Sequence, residues 1–295
     1  MYSIIGIEEC INNLYYVISE EGVSVDSNSL AGLKFGYNRF LSLFQKPSTL
    51  TSRMLPELVS GSHEEKALLS AFIEPVINID NPFQLTREAI DQAVENRDPN
   101  HIEWNLIAIE DAYYSLKKLS TPLGTLCDLM INKIFCTDIP GDVSASTLNA
   151  LGVLWINFSP RTTIEDWIEV LVHELIHQLI FIDSHIENHY TSRAMEVYGV
   201  SAICGLSRPL PCVFDSLLVS LEILNLRRYV YAPKGIISRN QIHPSTATLL
   251  CNAFTTIESI KPYIKSEHFI SFRGKKILQA AIKYIKEYNY TFSTY

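Results

Sequence analysis

The sequence predicts a mainly α-helical fold with a small β element. Apolar residues recur at helical spacing over the first 120 residues and again in the last third of the chain. One short run, LGVLWINF at 151–158, is instead rich in β-branched and aromatic residues and too short for a stable helix, which indicates a strand. The chain has 295 residues, 47% of them hydrophobic, and is therefore able to bury a sizeable core.

The first 120 residues are predicted to pack as a bundle of helices. Four segments carry the helical pattern: ECINNLYYVISEEG (9–22), AGLKFGYNRFLSLF (31–44), EEKALLSAFIEPVINI (64–79) and EWNLIAIEDAYYSLKKL (103–119). We assign 1–120 to a helical region, with substrate recognition as a hypothesis for its role, and 121–295 to a metal-binding catalytic region. Because no Gly/Ser linker separates them, we expect one integrated domain.

Composition and charge argue against several classes of protein. The 32 acidic and 24 basic residues give a formal charge of −8 and are scattered along the chain, so we expect no nucleic-acid partner. The longest apolar runs contain His, Glu and Asn, and the first residues do not resemble a signal peptide, so we expect a cytoplasmic protein without a membrane partner. The six cysteines form no C-x-x-C pair and are predicted to be buried free thiols.

The helix that follows the predicted strand carries the strongest motif in the chain. Thr162 stands three residues before Glu165, a capping-box arrangement, and apolar residues then repeat at helical spacing. Within this helix, VLVHELIHQLI (170–180) places His173 and His177 one turn apart on the same face. Such a pair can direct two imidazole nitrogens at one metal ion. We therefore predict a zincin-like H-E-x-x-H helix preceded by a strand.

Glu174 lies about 100 degrees around this helix from His173. It can therefore contact a metal-bound water without ligating the metal, and we assign it a catalytic role. The structural alternative is a buried helix whose histidines form hydrogen bonds to the backbone or to carboxylates. Two histidines do not complete a catalytic metal site, so a third ligand is needed.

Glu196 is one candidate for the third ligand. Its spacing after His177 resembles that of the gluzincin metallopeptidases, in which H-E-x-x-H is followed by a downstream Glu. The structural alternative is a solvated helix residue. We interpret His185 and His189 as surface or second-shell histidines, because Ile180 stands where the metzincin motif requires Gly.

Asp215 is the other candidate for the third ligand. It lies in a second predicted helix, PCVFDSLLVSLEILNLRRYVYA (211–232). Helix capping is its structural alternative. Because Pro211 suits the first turn, Asp215 is expected to lie inside the helix, on the face of Leu218, Val219 and Glu222. A carboxylate that faces inward among apolar residues is a good ligand for a cation.

Residues 148–228 resemble the H-E-x-x-H family of bacterial peptide-modification systems. The resemblance rests on the order of LNALGVLWINFSP, DWIEVLVHELIHQLIFID and VSAICGLSRPLPCVFDSLLVSLEILNLR. The family implies an Fe(II)- and 2-oxoglutarate-dependent β-hydroxylase that acts on ribosomally made peptides. In the family, a histidine follows an R-P motif seven positions after the Arg; here Arg208 and Pro209 match the motif, but that position holds Asp215.

The resemblance also implies a ligand set and a cofactor clamp. His173, His177 and Asp215 would form the two-histidine, one-carboxylate set of non-haem Fe(II) oxygenases. An arginine would hold the distal carboxylate of 2-oxoglutarate, with Arg273 as the first choice and Arg208 as the second.

Three functional hypotheses remain open from the sequence. The first is an Fe(II)/2-oxoglutarate-dependent dioxygenase that hydroxylates a side chain of a precursor peptide, its expected partner. The second is a zinc metallopeptidase with Glu174 as general base and Glu196 as third ligand. The third is a binding protein in which the metal stabilises the fold. The sequence does not fix the oligomeric state.

Overall fold

The computed structural model describes the chain in nine ranges. These are 1–25, 29–46, 49–51, 53–60, 62–78, 98–137, 143–157, 162–266 and 268–292. Helices account for most of these residues, and the strands are few and short, so the predicted mainly α fold with a small β element is confirmed.

The described residues form two compact units. One comprises 1–17 and 179–295, and the other comprises 18–178. The predicted boundary at residue 120 lies inside the second unit, between two consecutive helices, α5 (Pro99–Leu119) and α6 (Thr121–Met130). The roles that we assigned to the two regions stay predictions.

The described residues of the unit 18–178 form helices and a four-stranded sheet. Besides α5 and α6, the helices are α3 (Leu30–Phe44), α4 (Ser62–Asn78) and most of α7 (Ile164–Ile186). The strands are β1 (Glu57–Val59), β2 (Lys133–Phe135), β3 (Val143–Ala145) and β4 (Val153–Asn157). The sheet order is β1-β2-β4-β3; β1, β2 and β4 are parallel, and β3 is antiparallel to β4.

Strand β4 is the strand that the sequence predicted ahead of the H-E-x-x-H helix. All five of its residues are buried, which explains why the segment reads as a nearly continuous apolar run. The last residue of the predicted segment, Phe158, lies outside the described residues. Trp155 in β4 stacks on Phe135 in β2 at 6.1 Å between ring centroids and contacts Phe72 in α4 edge to face. These aromatic contacts form the centre of the core between the sheet and α4.

The capping box of α7 begins one residue later than predicted. The helix begins at Ile164, and Thr163 Oγ1 accepts a hydrogen bond from the backbone N of Asp166 at 3.4 Å. The same hydroxyl lies 2.6 Å from Asp166 Oδ2. Both Thr162–Glu165 and Thr163–Asp166 satisfy the sequence pattern, so the pattern could not choose between two adjacent threonines.

The unit of residues 1–17 and 179–295 is also mainly helical. It contains α1 (Tyr2–Ile5), most of α2 (Ile7–Glu20), the end of α7, α8 (Leu210–Asn225), α9 (Thr246–Ile264) and α10 (Phe272–Phe292). A small antiparallel sheet pairs β5 (Tyr198–Val200) with β6 (Ser207–Pro209). Helix α8 packs against α1, α9 and α10 and thus lies at the centre of this unit.

Helix α8 begins as predicted but does not run to residue 232 as an α-helix. Pro209 is its N-cap and Pro211 lies in its first turn. From Leu226 to Tyr231 the chain continues as a π-helix. In this segment Arg227 donates a hydrogen bond to the carbonyl of Pro244 at 2.8 Å, a contact that no local sequence pattern reveals.

The prediction of buried cysteines holds only in part. Cys10, Cys127 and Cys136 are buried, whereas Cys204 and Cys251 are exposed and Cys212 is half-buried. All six are free thiols. Within the described ranges, no helix is long and apolar enough to cross a membrane.

Lys34 is a buried cation in α3. Its Nζ donates hydrogen bonds to the carbonyls of Leu129 and Ile131 at 3.2 and 2.9 Å. Burial lowers the pKa of Lys34 to about 7, because the ammonium loses its hydration. The unfolded chain therefore holds this proton more tightly than the folded protein between pH 7 and pH 10.

We expect this proton linkage to stabilise the protein as the pH rises. From pH 7 to pH 9, Lys34 should add about 2 kcal/mol to the free energy of unfolding. Urea denaturation of the wild type and of Lys34→Met at both pH values measures this contribution. The other ionisable groups are the same in both proteins, so the difference between their pH dependences reports Lys34. The exposed Lys261 provides the control Lys261→Met, which should keep the wild-type pH slope. An unchanged slope in Lys34→Met would contradict the linkage.

Candidate metal centre

The two motif histidines lie on the most accessible face of an otherwise buried helix. Between Asp166 and Asp183 in α7, only His173, His177 and Phe181 are half-buried, and the other residues are buried. The three positions are four residues apart, so they share one face. The turn that bears His177 is fixed by its neighbour, since Gln178 Oε1 accepts a hydrogen bond from the backbone N of Gly152 at 2.9 Å.

The imidazoles of His173 and His177 converge through the same ring nitrogen. Their Nε2 atoms are 3.2 Å apart, and the ring centroids are 5.0 Å apart. Two nitrogens each about 2.1 Å from one cation would be separated by about 3.0 Å at a right angle and about 3.4 Å at a tetrahedral angle. The observed separation fits either coordination geometry, so the pair is suited to a metal ion without selecting iron or zinc.

The surroundings keep His177 neutral. Burial and, to a smaller extent, the neighbouring His173 lower the pKa of His177 to about 4, although Glu174 opposes the shift. A neutral imidazole is the form that binds metals. Protons therefore compete weakly for His177 at neutral pH, which favours metal binding.

Glu174 is a buried carboxylate beside the histidine pair. Its side chain is 2% exposed, and Oε1 lies 4.0 Å from His173 Nε2. Among the described residues, Oε2 has no hydrogen-bond partner. A buried carboxylate oxygen without a donor is costly, so this position favours a cation, a bound water or a substrate donor at the site.

Asp215 lies where the sequence placed it within its helix. It follows the first turn of α8, so helix capping does not explain it. Its neighbours Leu218, Val219 and Glu222 are fully buried, whereas Asp215 is half-buried. Its Oδ1 atom is withdrawn from solvent, and this burial raises the pKa of Asp215 to about 7. A nearby cation would restore the ionised form.

The other proposed ligand, Glu196, has the environment of a surface residue. It lies at the end of a short 3-10 helix, Ser192–Glu196. Its side chain is 59% exposed and pairs with Arg193 at 3.3 Å. Both features match the structural alternative, in which Glu196 is a solvated residue. The role of Glu196 as a metal ligand stays a prediction.

Arg273 already has a carboxylate partner. Its Nε donates to Asp183 Oδ2 at 3.0 Å, and its second nitrogen donates to the other carboxylate oxygen. The same Asp183 also accepts from Asn13 at 2.7 Å and contacts His189 Nε2 at 2.6 Å. The adjacent Gly274 is needed for packing, because a Cβ atom there would lie 2.1 Å from the carbonyl oxygen of His189. The Arg-Gly pair therefore has a structural explanation in addition to the predicted cofactor role.

Arg208 occupies a different environment. It is half-buried in β6, where it is paired with Gly199 of β5 in the register of the sheet. Its predicted role as a clamp for a carboxylate stays a prediction.

His189 is fully buried, so burial excludes the surface alternative for it and leaves the second-shell one, whereas His185 is exposed. Its Nε2 is held by Asp183, and within the described ranges its Nδ1 has no hydrogen-bond partner. Metal-bound and catalytic histidines commonly have such a carboxylate on the other ring nitrogen. No spacing rule connects Asp183 to His189, so only the fold could reveal the pair.

The predicted ligands are divided between the two units. His173 and His177 belong to 18–178, whereas Asp215 and Glu196 belong to the other unit. Across the described ranges, no group of three or more His, Cys, Asp or Glu side chains is placed to hold a metal ion. The histidine pair is thus the part of the site that the geometry supports directly.

Comparison with known proteins leaves the family open: the chain matches no model of a protein family and no curated protein.

Proposed function

We propose that the protein is a metal-dependent enzyme that hydroxylates a side chain in a ribosomally made peptide. The observation that carries the proposal is the convergence of His173 and His177, whose Nε2 atoms are 3.2 Å apart on a buried helix. Asp215 supports the choice of an oxygenase, because its buried carboxylate suits a cation, whereas Glu196 is exposed and paired with Arg193. Free thiols, two of them exposed, are compatible with action in the reducing cytoplasm.

In this proposal the two histidines and Asp215 hold Fe(II). Bound iron with 2-oxoglutarate supplies the oxidising chemistry for peptide hydroxylation. The neutral His177 presents its nitrogen lone pair at physiological pH, and the buried turns around it exclude water from one side of the site. Arg273, which binds Asp183 in this structure, and Arg208 are the two arginines to test as the clamp for 2-oxoglutarate.

A zinc peptidase is the second candidate, and Glu174 is the observation that favours it. Its buried Oε2, which has no hydrogen-bond partner in the described part of the chain, lies beside the histidine pair. A general base for a metal-bound water occupies such a position in H-E-x-x-H peptidases. The oxygenase proposal gives Glu174 only the role of orienting a ligand or substrate.

Metal analysis followed by turnover assays tests the proposal. The protein is purified anaerobically without added metal, and its metal content is measured. It is then loaded with Fe(II) and incubated with 2-oxoglutarate, O2 and candidate precursor peptides. We expect succinate together with a peptide heavier by one oxygen atom. Tight zinc binding with peptide cleavage would establish the second candidate instead, and metal-dependent stability without any turnover would indicate a structural metal.

The substitution Glu174→Gln separates the two catalytic candidates. For a peptidase, loss of the general base should lower the cleavage rate at least about 100-fold while zinc remains bound. For an oxygenase, hydroxylation should fall by less than about tenfold, because Glu174 takes no proton from water there. The matched control is Glu187→Gln, an exposed position on the chain just after α7. A large loss of hydroxylation in Glu174→Gln would contradict the role that we assign to this residue.

A further inference from the structure

A cleft lies along α3, in the unit of residues 18–178. Its volume is about 550 Å³, which is within the range of ligand-binding pockets. One wall is formed by α3 and the other by Leu50, Thr51, Arg53 and Met54. We call it the α3 cleft; it is lined by Ala31, Lys34, Phe35, Asn38, Arg39, Ser42, Leu50, Thr51, Arg53 and Met54.

The lining of the α3 cleft is positively charged in a protein of net charge −8. Two arginines and one lysine line it, and no Asp or Glu belongs to the lining. Lys34 is buried, donates to two backbone carbonyls and has a lowered pKa, so the lasting positive charge of the cleft comes from Arg39 and Arg53. Arg39 and Arg53 are exposed, and the described residues place no carboxylate within ion-pair distance of either guanidinium. Both guanidinium groups can therefore bind an anion, with two donors each.

The apolar part of the cleft lies on the same helix face. Phe35 is 65% exposed and lines the cleft next to Lys34 and one turn before Arg39. Leu50 and Met54 are half-buried on the opposite wall. Phe35 thus offers an aromatic ring to an apolar side chain of an occupant, beside Arg39 of the same helix.

The length of the cleft along α3 accommodates an extended occupant. Its lining runs from Ala31 to Ser42, which corresponds to about 16 Å along a helix. An extended peptide of about five residues has this length. Successive side chains of such a peptide point to opposite sides, so acidic and apolar residues in alternation could meet both the arginines and Phe35.

We propose that the α3 cleft binds an extended, acidic peptide segment with at least one large apolar side chain. Arg39 and Arg53 bind the carboxylates of the peptide, and Phe35 packs against its apolar side chain. The identification of this peptide with the substrate of the enzyme rests on the proposed function, whereas the binding itself does not.

Isothermal titration of the full chain tests the cleft without any turnover. The probe is a heptapeptide, acetylated and amidated, in which Asp alternates with Leu and Phe; its partner carries Asn in place of each Asp. We expect the acidic peptide to bind at least about tenfold more tightly than the Asn peptide, since hydrogen bonds to charged groups are the stronger ones. The double substitution Arg39→Gln, Arg53→Gln should weaken binding of the acidic peptide by a similar factor, and Phe35→Ser should also weaken it.

Several results would overturn the inference. They are absence of binding at millimolar peptide, equal binding of the two peptides, and unchanged binding after loss of both arginines. Arg239→Gln, a substitution of another exposed arginine, is the matched control and should bind like the wild type. Competition by inorganic phosphate or glutarate as strong as that of the peptide would assign the cleft to small anions instead. Because no metal is needed, a failure here is distinct from a failure of the proposed enzyme activity.

Discussion

His177→Ala should abolish tight metal binding. The substitution removes one of two nitrogens that converge at 3.2 Å, and the remaining histidine with one carboxylate is too few ligands for tight binding. We expect the affinity for Fe(II) or Zn(II) to fall by more than about 100-fold, since even second-shell changes cost 10- to 100-fold. His173→Ala should have the same effect. Competition with a chromogenic chelator measures the affinity, and elemental analysis gives the stoichiometry.

The control for this prediction is on the same helix. His185 is exposed near the end of α7, so His185→Ala should bind metal like the wild type. Parallel titrations of Asp215→Asn, Glu196→Gln and His189→Ala identify the third ligand, because only the ligand's loss should weaken binding strongly. Retention of wild-type affinity in His177→Ala would remove the basis for a metal centre at this motif.

Asp183→Asn should destabilise the protein by about 3–5 kcal/mol. The carboxylate of Asp183 is 2% exposed and accepts from Arg273, Asn13 and His189 at once. Its loss leaves the partly buried guanidinium of Arg273 with only the more distant Glu9, at 3.5 Å, as counter-charge. Removal of one partner of a buried ion pair has a cost of this size. Urea denaturation at pH 7 measures the change in the free energy of unfolding.

The pH dependence provides a second measurement of the same network. His189 and Arg273 lower the pKa of Asp183 against the opposing effect of burial. A depressed carboxyl pKa contributes stability that is present above the unfolded pKa of about 4 and is lost as the pH falls below it. Asp183→Asn should therefore flatten the loss of stability in acid. The exposed pair of Glu258 and Lys261 supplies the control, and Glu258→Gln should cost less than about 1 kcal/mol. A comparable cost for both variants would show that the buried network contributes little.

Much of the helical architecture could be predicted because helix formation is encoded locally. The apolar spacing of 31–44 and 103–119 corresponds to α3 and α5, and the run of buried residues in β4 matches its nearly continuous apolar sequence. By contrast, β1 and β2 have three residues each, which is too short to give a periodic signal. Their pairing depends on partners far along the chain, so the sequence could not reveal the sheet.

The candidate metal centre also combines features that local sequence predicts with features that only the fold shows. A spacing of four residues on a helix fixes the proximity of His173 and His177, so the pair follows from the sequence alone. The environment of Asp215 and the exposure of Glu196 depend on what packs around them, and both required the fold.

The sequence by itself determined the helical fold class, the H-E-x-x-H helix and the histidine pair, because each depends on residues within a few turns of one another. The tertiary structure alone decided that Asp183 binds Arg273 and His189, and that Arg39 and Arg53 line one cleft with Phe35. Asp183 and Arg273 are 90 residues apart, and such contacts are set by the packing of whole helices rather than by any local pattern.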